Sequence, residues 1–254
     1  MWNKKSLSII LKTLMTKNKC NTGDNIMITE GEKWTFDKNV PQKFEDHISK
    51  SVPFYKEGHD LILKLSHYFT KKESIIYELG SSTGILSYHL AQHHEKKNCQ
   101  VIGYDISEKM IDHAKQSYSH PSLHFDQQDI SSIPLKKSDL IISYYTLQFI
   151  ETKKRLPLVK SIYKALNPGA AFIFFEKTLN PNKKFQNLLT DLYINFKQDN
   201  GYSIEEINNK AKSLIGVLEP HSETENLELL KESSFTHITP IFQYLNFQGY
   251  LAIK

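Results

Sequence analysis

The chain predicts an α/β fold: a mostly parallel sheet covered by helices on both faces, an antiparallel C-terminal strand, and a helical insertion. Two observations carry that expectation. Between about residues 75 and 176, apolar runs of strand length alternate with amphipathic segments of helix length, the pattern of a parallel sheet wrapped by crossover helices. The rhythm then breaks over 179–221 and resumes near the C-terminus as two strands around Gln243–Leu245, the edge of the sheet.

Each element has its own justification. Phe44, Ile48 and Val52 recur at helical spacing and Pro53 stops that helix; Leu61, Leu65 and Phe69 share one face of a second, from about 56 to 69. Strands are expected at 75–79, 100–104, 122–126, 138–144 and 170–176, with helices at 84–95, 107–118 and 151–166 between them. Within 179–221 no segment reads as a strand. Two Ser-x-x-Glu capping boxes, Ser203 with Glu206 and Ser222 with Glu225, mark helix starts, the second opening a helix at 222–233. The organisation is thus a flexible N-terminal extension (1–26) and a single domain (27–254) carrying the insertion. The apolar stretch Ser6–Met15 is interrupted by Lys12 and lacks a small-residue cleavage site, so it reads as an extension rather than a signal peptide, and Met15 is an alternative start.

Composition narrows the function. At 254 residues, 39% hydrophobic and 24% charged, the chain is an ordinary globular protein. A net charge of +4 gives no reason to expect nucleic acid, and no run approaches the length of a membrane span. Cys20 and Cys99 form no C-x-x-C pair, which suggests a reducing, cytoplasmic setting and no structural metal. Arg155 is the sole arginine, so any bidentate clamp on a carboxylate has one candidate.

The chemistry gathers at "YELGSSTG". A strand ends at Glu78, Gly80 and Gly84 bracket a turn with Ser81 and Ser82 inside it, and a helix follows. In a dinucleotide fingerprint such a turn faces a pyrophosphate. This one lacks the middle glycine and carries an acid two residues before the first, which repels phosphate and suits an ammonium or sulfonium group. That points to S-adenosyl-L-methionine (SAM). Asp105, closing the next strand, is placed to accept hydrogen bonds from ribose hydroxyls, and Asp129, after the third strand, to meet an adenine amino group.

"WTFD", "SVPFY", "ELGSSTG", "TLQFI", "IYKALNPGAAFIFFEK", "FKQDNGYS" and "LNFQGYLAIK" together resemble the carboxy-S-adenosyl-L-methionine (carboxy-SAM) synthases, within the Rossmann-like class I SAM-dependent methyltransferases. The likeness covers about residues 27–254. It implies a homodimer that converts SAM to carboxy-SAM with prephenate, for tRNA wobble-uridine modification, and a lid built by the insertion. It also implies ligand contacts from Tyr55, Gly80, Ser81, Ser82, Asp105 with Ile106, and Asp129 with Ile130. Two positions depart from the family: Tyr144 replaces an asparagine, and Ala211 replaces the arginine that reaches the carboxylate of carboxy-SAM, in the family from the neighbouring subunit. On a helix, the flanking Lys210 and Lys212 are expected to point away from Ala211.

That loss makes methyl transfer from SAM to a small-molecule acceptor the expected activity. Carboxy-SAM synthesis is the alternative, and a SAM-binding pseudoenzyme a third reading. Methyl transfer needs mainly alignment and desolvation. Tyr55, Tyr144 and Tyr145 are expected to surround the methyl donor, their rings facing its cation. His221 and Tyr202 are the candidate proton acceptors.

Overall fold

The computed structural model describes residues 18–37 and 40–254. A short hairpin, β1 (Lys19–Asn21) with β2 (Met27–Thr29), precedes two helices, α1 (Phe44–Ser51) and α2 (Tyr55–Phe69). The alternating region follows as β3 (Ile75–Leu79), α3 (Ile85–His93), β4 (Gln100–Asp105), α4 (Glu108–Ser117), β5 (Leu123–Gln127), β6 (Ser138–Tyr144), α5 (Thr152–Ala165) and β7 (Leu166–Lys177). Then come α6 (Lys183–Asp199), α7 (Ile204–Ser213) and α8 (Glu223–Glu232), and the chain ends on β8 (His237–Tyr244) and β9 (Phe247–Ile253).

Seven strands form one sheet in the order β5-β4-β3-β6-β7-β9-β8. The first five are parallel; β9 runs antiparallel to both β7 and β8. The order reverses between β3 and β6, and in an open α/β sheet the crevice beyond the strand ends at such a point is where ligands bind.

Strand periodicity places the site. Ile76 packs on the face covered by α2 and α3, while Tyr77 and Leu79 enter the opposite core under α5 and α8. Glu78, in step with Ile76, therefore points to the α2 side. On β6, Leu140, Ile142 and Tyr144 share that side while Ile141 goes to the other. A third cluster joins Ile26, Trp34, Val40 and Phe44 to Met110, with Leu214 packed against it, so the N-terminal segment closes over the strand ends.

Two expectations need adjustment. Residues 18–26, expected in the flexible extension, form part of the β1–β2 hairpin, and Asn21 donates to Glu206 of α7 (2.8 Å). The rest of that extension, Met15 included, lies outside the described residues. Strand β7 begins at Leu166, because Ser138 already pairs there before a register shift. Helix α6 has no capping box; the Asn182 side chain instead accepts from the backbone of Lys184 (3.0 Å) and Phe185 (3.4 Å). Both boxes read from the sequence are formed, at α7 and α8.

Candidate ligand cavity

The glycine turn is built to present side chains rather than amides. Gly80 has φ +84°, and a Cβ there would lie 2.2 Å from Thr146 Oγ1, so both conformation and space demand glycine. The backbone N–H groups of Gly80 and Ser81 both donate to the carbonyl of Tyr104 (2.7 and 2.8 Å), and that of Ser82 to Asp105 Oδ2 (2.9 Å). The donors that would hold a phosphate are thus already taken. Ser82 itself lies in the left-handed region at φ 51°, a strained conformation of the kind that clusters at ligand sites.

A cavity of about 740 Å³ opens beyond these strand ends. Glu78, Asp105 and Asp129 all line it, as do Tyr55, Gly80, Ser81, Ser82, Ile106, Ile130, Tyr144 and Tyr145. Acids expected from three separate strand ends thus share one chamber. Their environments differ. Glu78 is 3% exposed; burial pushes its pKa up to about 8, although it accepts a hydrogen bond from Ser87 Oγ. Burial also raises Asp105, against the backbone hydrogen bonds that it accepts. Asp129 is exposed and held low by accepting from Ser131. A cation arriving beside Glu78 favours its charged form, so the corner suits a positive group as well as hydroxyls. Two buried polar atoms on the cavity wall, Ser81 Oγ and His59 Nε2, have no hydrogen-bond partner among the described residues, which fits a ligand carrying hydroxyl or amine groups.

Next to the acids stands an aromatic box. Tyr144 lies 5.1 Å from Tyr55, 4.8 Å from His59 and 4.6 Å from Tyr145 between ring centroids. Its hydroxyl donates to the Tyr55 carbonyl (2.7 Å). Tyr145 is held at φ 57°, unusual for a bulky residue, and lies nearly parallel to Tyr55 at 6.5 Å.

Three expected site residues are elsewhere. Gly84 does not line the cavity; it starts α3 at φ +87°, where a Cβ would meet Phe125 Cζ at 2.5 Å, so it serves packing. The Tyr202 hydroxyl is engaged by Asp24 and His47 in the joint between hairpin, α1 and insertion. His221 lies at the far end of the insertion, its carbonyl accepting from the Leu179 N–H (3.0 Å). Neither lines the cavity. Arg155 stays outside it as well, buried, donating to the carbonyls of Ile150 (2.8 Å), Glu219 (2.6 Å) and Gln148 (3.4 Å).

Reading the sequence for acids and glycines missed the opposite wall. Lys177 at the end of β7, Lys197 on α6 and Lys210 on α7 all line the cavity, and so does Ala211, whereas Lys212 does not. Lys210 therefore turns inward, contrary to the helical-wheel expectation, and rests against the Trp34 ring. Tyr193 is flanked by two ammonium groups, Lys177 at 4.4 Å and Lys197 at 4.2 Å from its centroid. A signal was available: the apolar run "AAFIFF" ends on the charged pair Glu176–Lys177, at the strand end where the site residues gather.

This sheet order, the glycine turn and the acids at successive strand ends define a class I SAM-dependent methyltransferase fold. A family model described as a methyltransferase domain matches residues 76–169. The magnesium protoporphyrin IX methyltransferase of Synechocystis PCC 6803, solved with bound SAH, superposes with a TM-score of 0.61 at 16% identity, over 86% of this chain and 96% of that one. Its likeness is one of fold. Two curated relatives are more specific. The carboxy-S-adenosyl-L-methionine synthase of a Nitratiruptor species is 38% identical over 88% of this chain and 94% of its own length. That of Campylobacter lari is 35% identical, over 88% and 95%. The chain belongs to the carboxy-S-adenosyl-L-methionine synthase family.

Proposed function

We propose that the protein binds SAM in this cavity and converts it to carboxy-SAM. The relatives' names favour this over methyl transfer to a small acceptor, the reading that the sequence had put first. One observation carries it: a single cavity is lined by the three acids, the tyrosine box and lysines from β7 and the insertion, and both bases cast for an acceptor lie outside its lining. SAM supplies a sulfonium-activated methyl group when bound. Glu78 faces the positive end of the ligand, Asp105 the ribose and Asp129 the adenine. Tyr55, Tyr144 and Tyr145 shield the reacting carbon from water and stabilise the positive charge beside it. Carboxylation replaces one methyl C–H bond by a C–C bond to the carboxyl carbon; the donor's own bond to that carboxyl breaks, its electron pair expels hydroxide, and the methyl proton leaves with that hydroxide as water.

Methyl transfer remains the second reading, favoured by Tyr144 and Ala211, which stand where the family has asparagine and arginine. Mass spectrometry of the purified protein incubated with SAM and prephenate separates the two. A nucleoside heavier than SAM by one carbon dioxide supports the first. Intact SAM with prephenate, but S-adenosylhomocysteine with an acceptor pool, supports the second.

The insertion also gives the chain an assembly surface. Phe185, Leu188 and Leu192 of α6 are 58, 54 and 42% exposed, an apolar stripe suited to a homodimer.

A further inference from the structure

We propose that Lys177, Lys197 and Lys210 form the receptor for the carboxylates of a second substrate, an organic dianion with a flat apolar body that lies beside the nucleoside. The proposal deepens the carboxy-SAM reading and rests on it, since it names the residues that take the carboxyl donor.

The three lysines come from a strand end and two insertion helices, yet line one cavity: Lys177 and Lys197 flank the Tyr193 ring, and Lys210 lies close enough to Lys197 to feel its charge. Lys197 is 8% exposed, and Lys177 and Lys210 are half-buried. Among the described residues none of the three ammonium groups has a hydrogen-bond acceptor or a carboxylate within 4 Å; aromatic faces are their only partners. A buried charge without a counter-charge is strongly disfavoured, and cation–π contact offsets only part of that. Burial, reinforced by Lys177, brings Lys197 down to about 7; burial alone brings Lys177 to about 8. Lys210 is lowered by burial and then by Lys197, so the cations repel one another.

A polyanion would compensate such a cluster, and three ammonium groups suit more than one negative charge. Tyr193, Phe247 and Trp34, the rings against which the ammonium groups rest, line the same cavity and suit a flat hydrocarbon body. Ala211, beside Lys210, leaves that wall open where the family carries a guanidinium. Point charges replace a planar fork, so the receptor selects net charge rather than one bidentate geometry.

Calorimetric titration of the full chain, saturated with S-adenosylhomocysteine to prevent turnover, tests this with prephenate as dianion and phenylacetate as monoanion. Wild type is expected to bind prephenate at least tenfold more tightly than phenylacetate. Lys197→Met and Lys210→Met should each weaken prephenate tenfold or more while leaving S-adenosylhomocysteine within twofold, and Lys197→Arg should retain most of the affinity. Ligand-free Lys197→Met should also melt above wild type, because it removes an uncompensated cation; a scaffold lysine would melt lower. Lysine variants that bind prephenate as wild type does overturn the proposal. If wild type binds S-adenosylhomocysteine but ignores prephenate, the carboxy-SAM reading fails. The lysines are then judged by the affinity of wild type for carboxy-SAM against SAM, and equal affinities overturn their role too.

Discussion

Replacing Gly58 by alanine tests the packing of the tyrosine box directly. Gly58 lies in the first turn of α2 with ordinary helical backbone, so an open site would gain about 1 kcal/mol from the better helix former. The structure leaves no room. A Cβ on Gly58 would stand 2.1 Å from the Tyr144 hydroxyl oxygen, 3.0 Å from Cζ and 3.2 Å from Cε2. The ring must shift, which costs about 1–3 kcal/mol for overpacking, plus about 1 kcal/mol for the hydrogen bond to the Tyr55 carbonyl. Set against the helix gain, Gly58→Ala should destabilise by about 1–3 kcal/mol. Tyr144→Phe alone loses the hydrogen bond, about 1 kcal/mol. Together they remove the closest clash, so the double variant should return to within about 1 kcal/mol of wild type, a strong coupling for neighbours. Urea unfolding followed by circular dichroism measures all four corners of the cycle. The displaced ring also moves into the cavity, so SAM affinity should fall in Gly58→Ala and recover in the double variant. An alanine that stabilises, or strictly additive effects, would refute the close approach of α2 to Tyr144.

Further outcomes follow from the same geometry. Glu78 is raised from 4.5 to about 8, so between those values the folded state holds a proton that the unfolded state has lost, and stability drains away as pH rises. Buried neutral His47, His59 and His94 act in the opposite sense, so the informative quantity is the difference from Glu78→Gln. Its melting temperature should climb relative to wild type by about 3–6 °C per pH unit between pH 5.5 and 7; a constant gap would count against the buried acid. Gly84→Ala and Gly169→Ala share the strain of positive φ, +87° and +77°, but only the first meets neighbours, with Phe125 Cζ at 2.5 Å and nothing within 4 Å of the second. In denaturant titrations Gly84→Ala should lose about 1–3 kcal/mol more than Gly169→Ala, and equal losses would contradict that contact. Light scattering should give a dimer mass that Leu188→Asp reduces to a monomer; a wild-type monomer at micromolar concentration would remove the assembly role given to α6.

The sheet and the acidic corner were legible because each leaves a local mark. Short apolar runs wrote β3 and β6 into the sequence, strands buried along almost their whole length, and the acids sit at or just beyond strand ends. Ser203 and Ser222 announced their helices through capping boxes with the partner glutamate three residues on. Helix α6 starts from a lone asparagine followed by two lysines, which carries no such signature, and the hairpin strands are three residues each, too short for periodicity. The proton acceptors were misjudged for a different reason. Tyr202 and His221 are near the site in sequence terms, but their directions depend on contacts with Asp24, 178 residues away from Tyr202, and on the bridge to Leu179. The lysine wall assembles from positions 177, 197 and 210, and only the folded chain brings them to one surface.

Gln148 turns the rim of the cavity into a linkage. Its side chain donates to the Tyr145 carbonyl (3.2 Å) and accepts from the Lys177 N–H (2.9 Å), while its own carbonyl accepts from Glu219 of the insertion (2.8 Å). Arg155 rivets the same carbonyl to those of Ile150 and Glu219. The Gln148 side chain thereby holds the backbone of Tyr145 at one end and of Lys177 at the other, while the residue's own carbonyl holds the insertion. The insertion, the aromatic floor and the end of β7 are thus tied together through one amide side chain and the chain's single guanidinium.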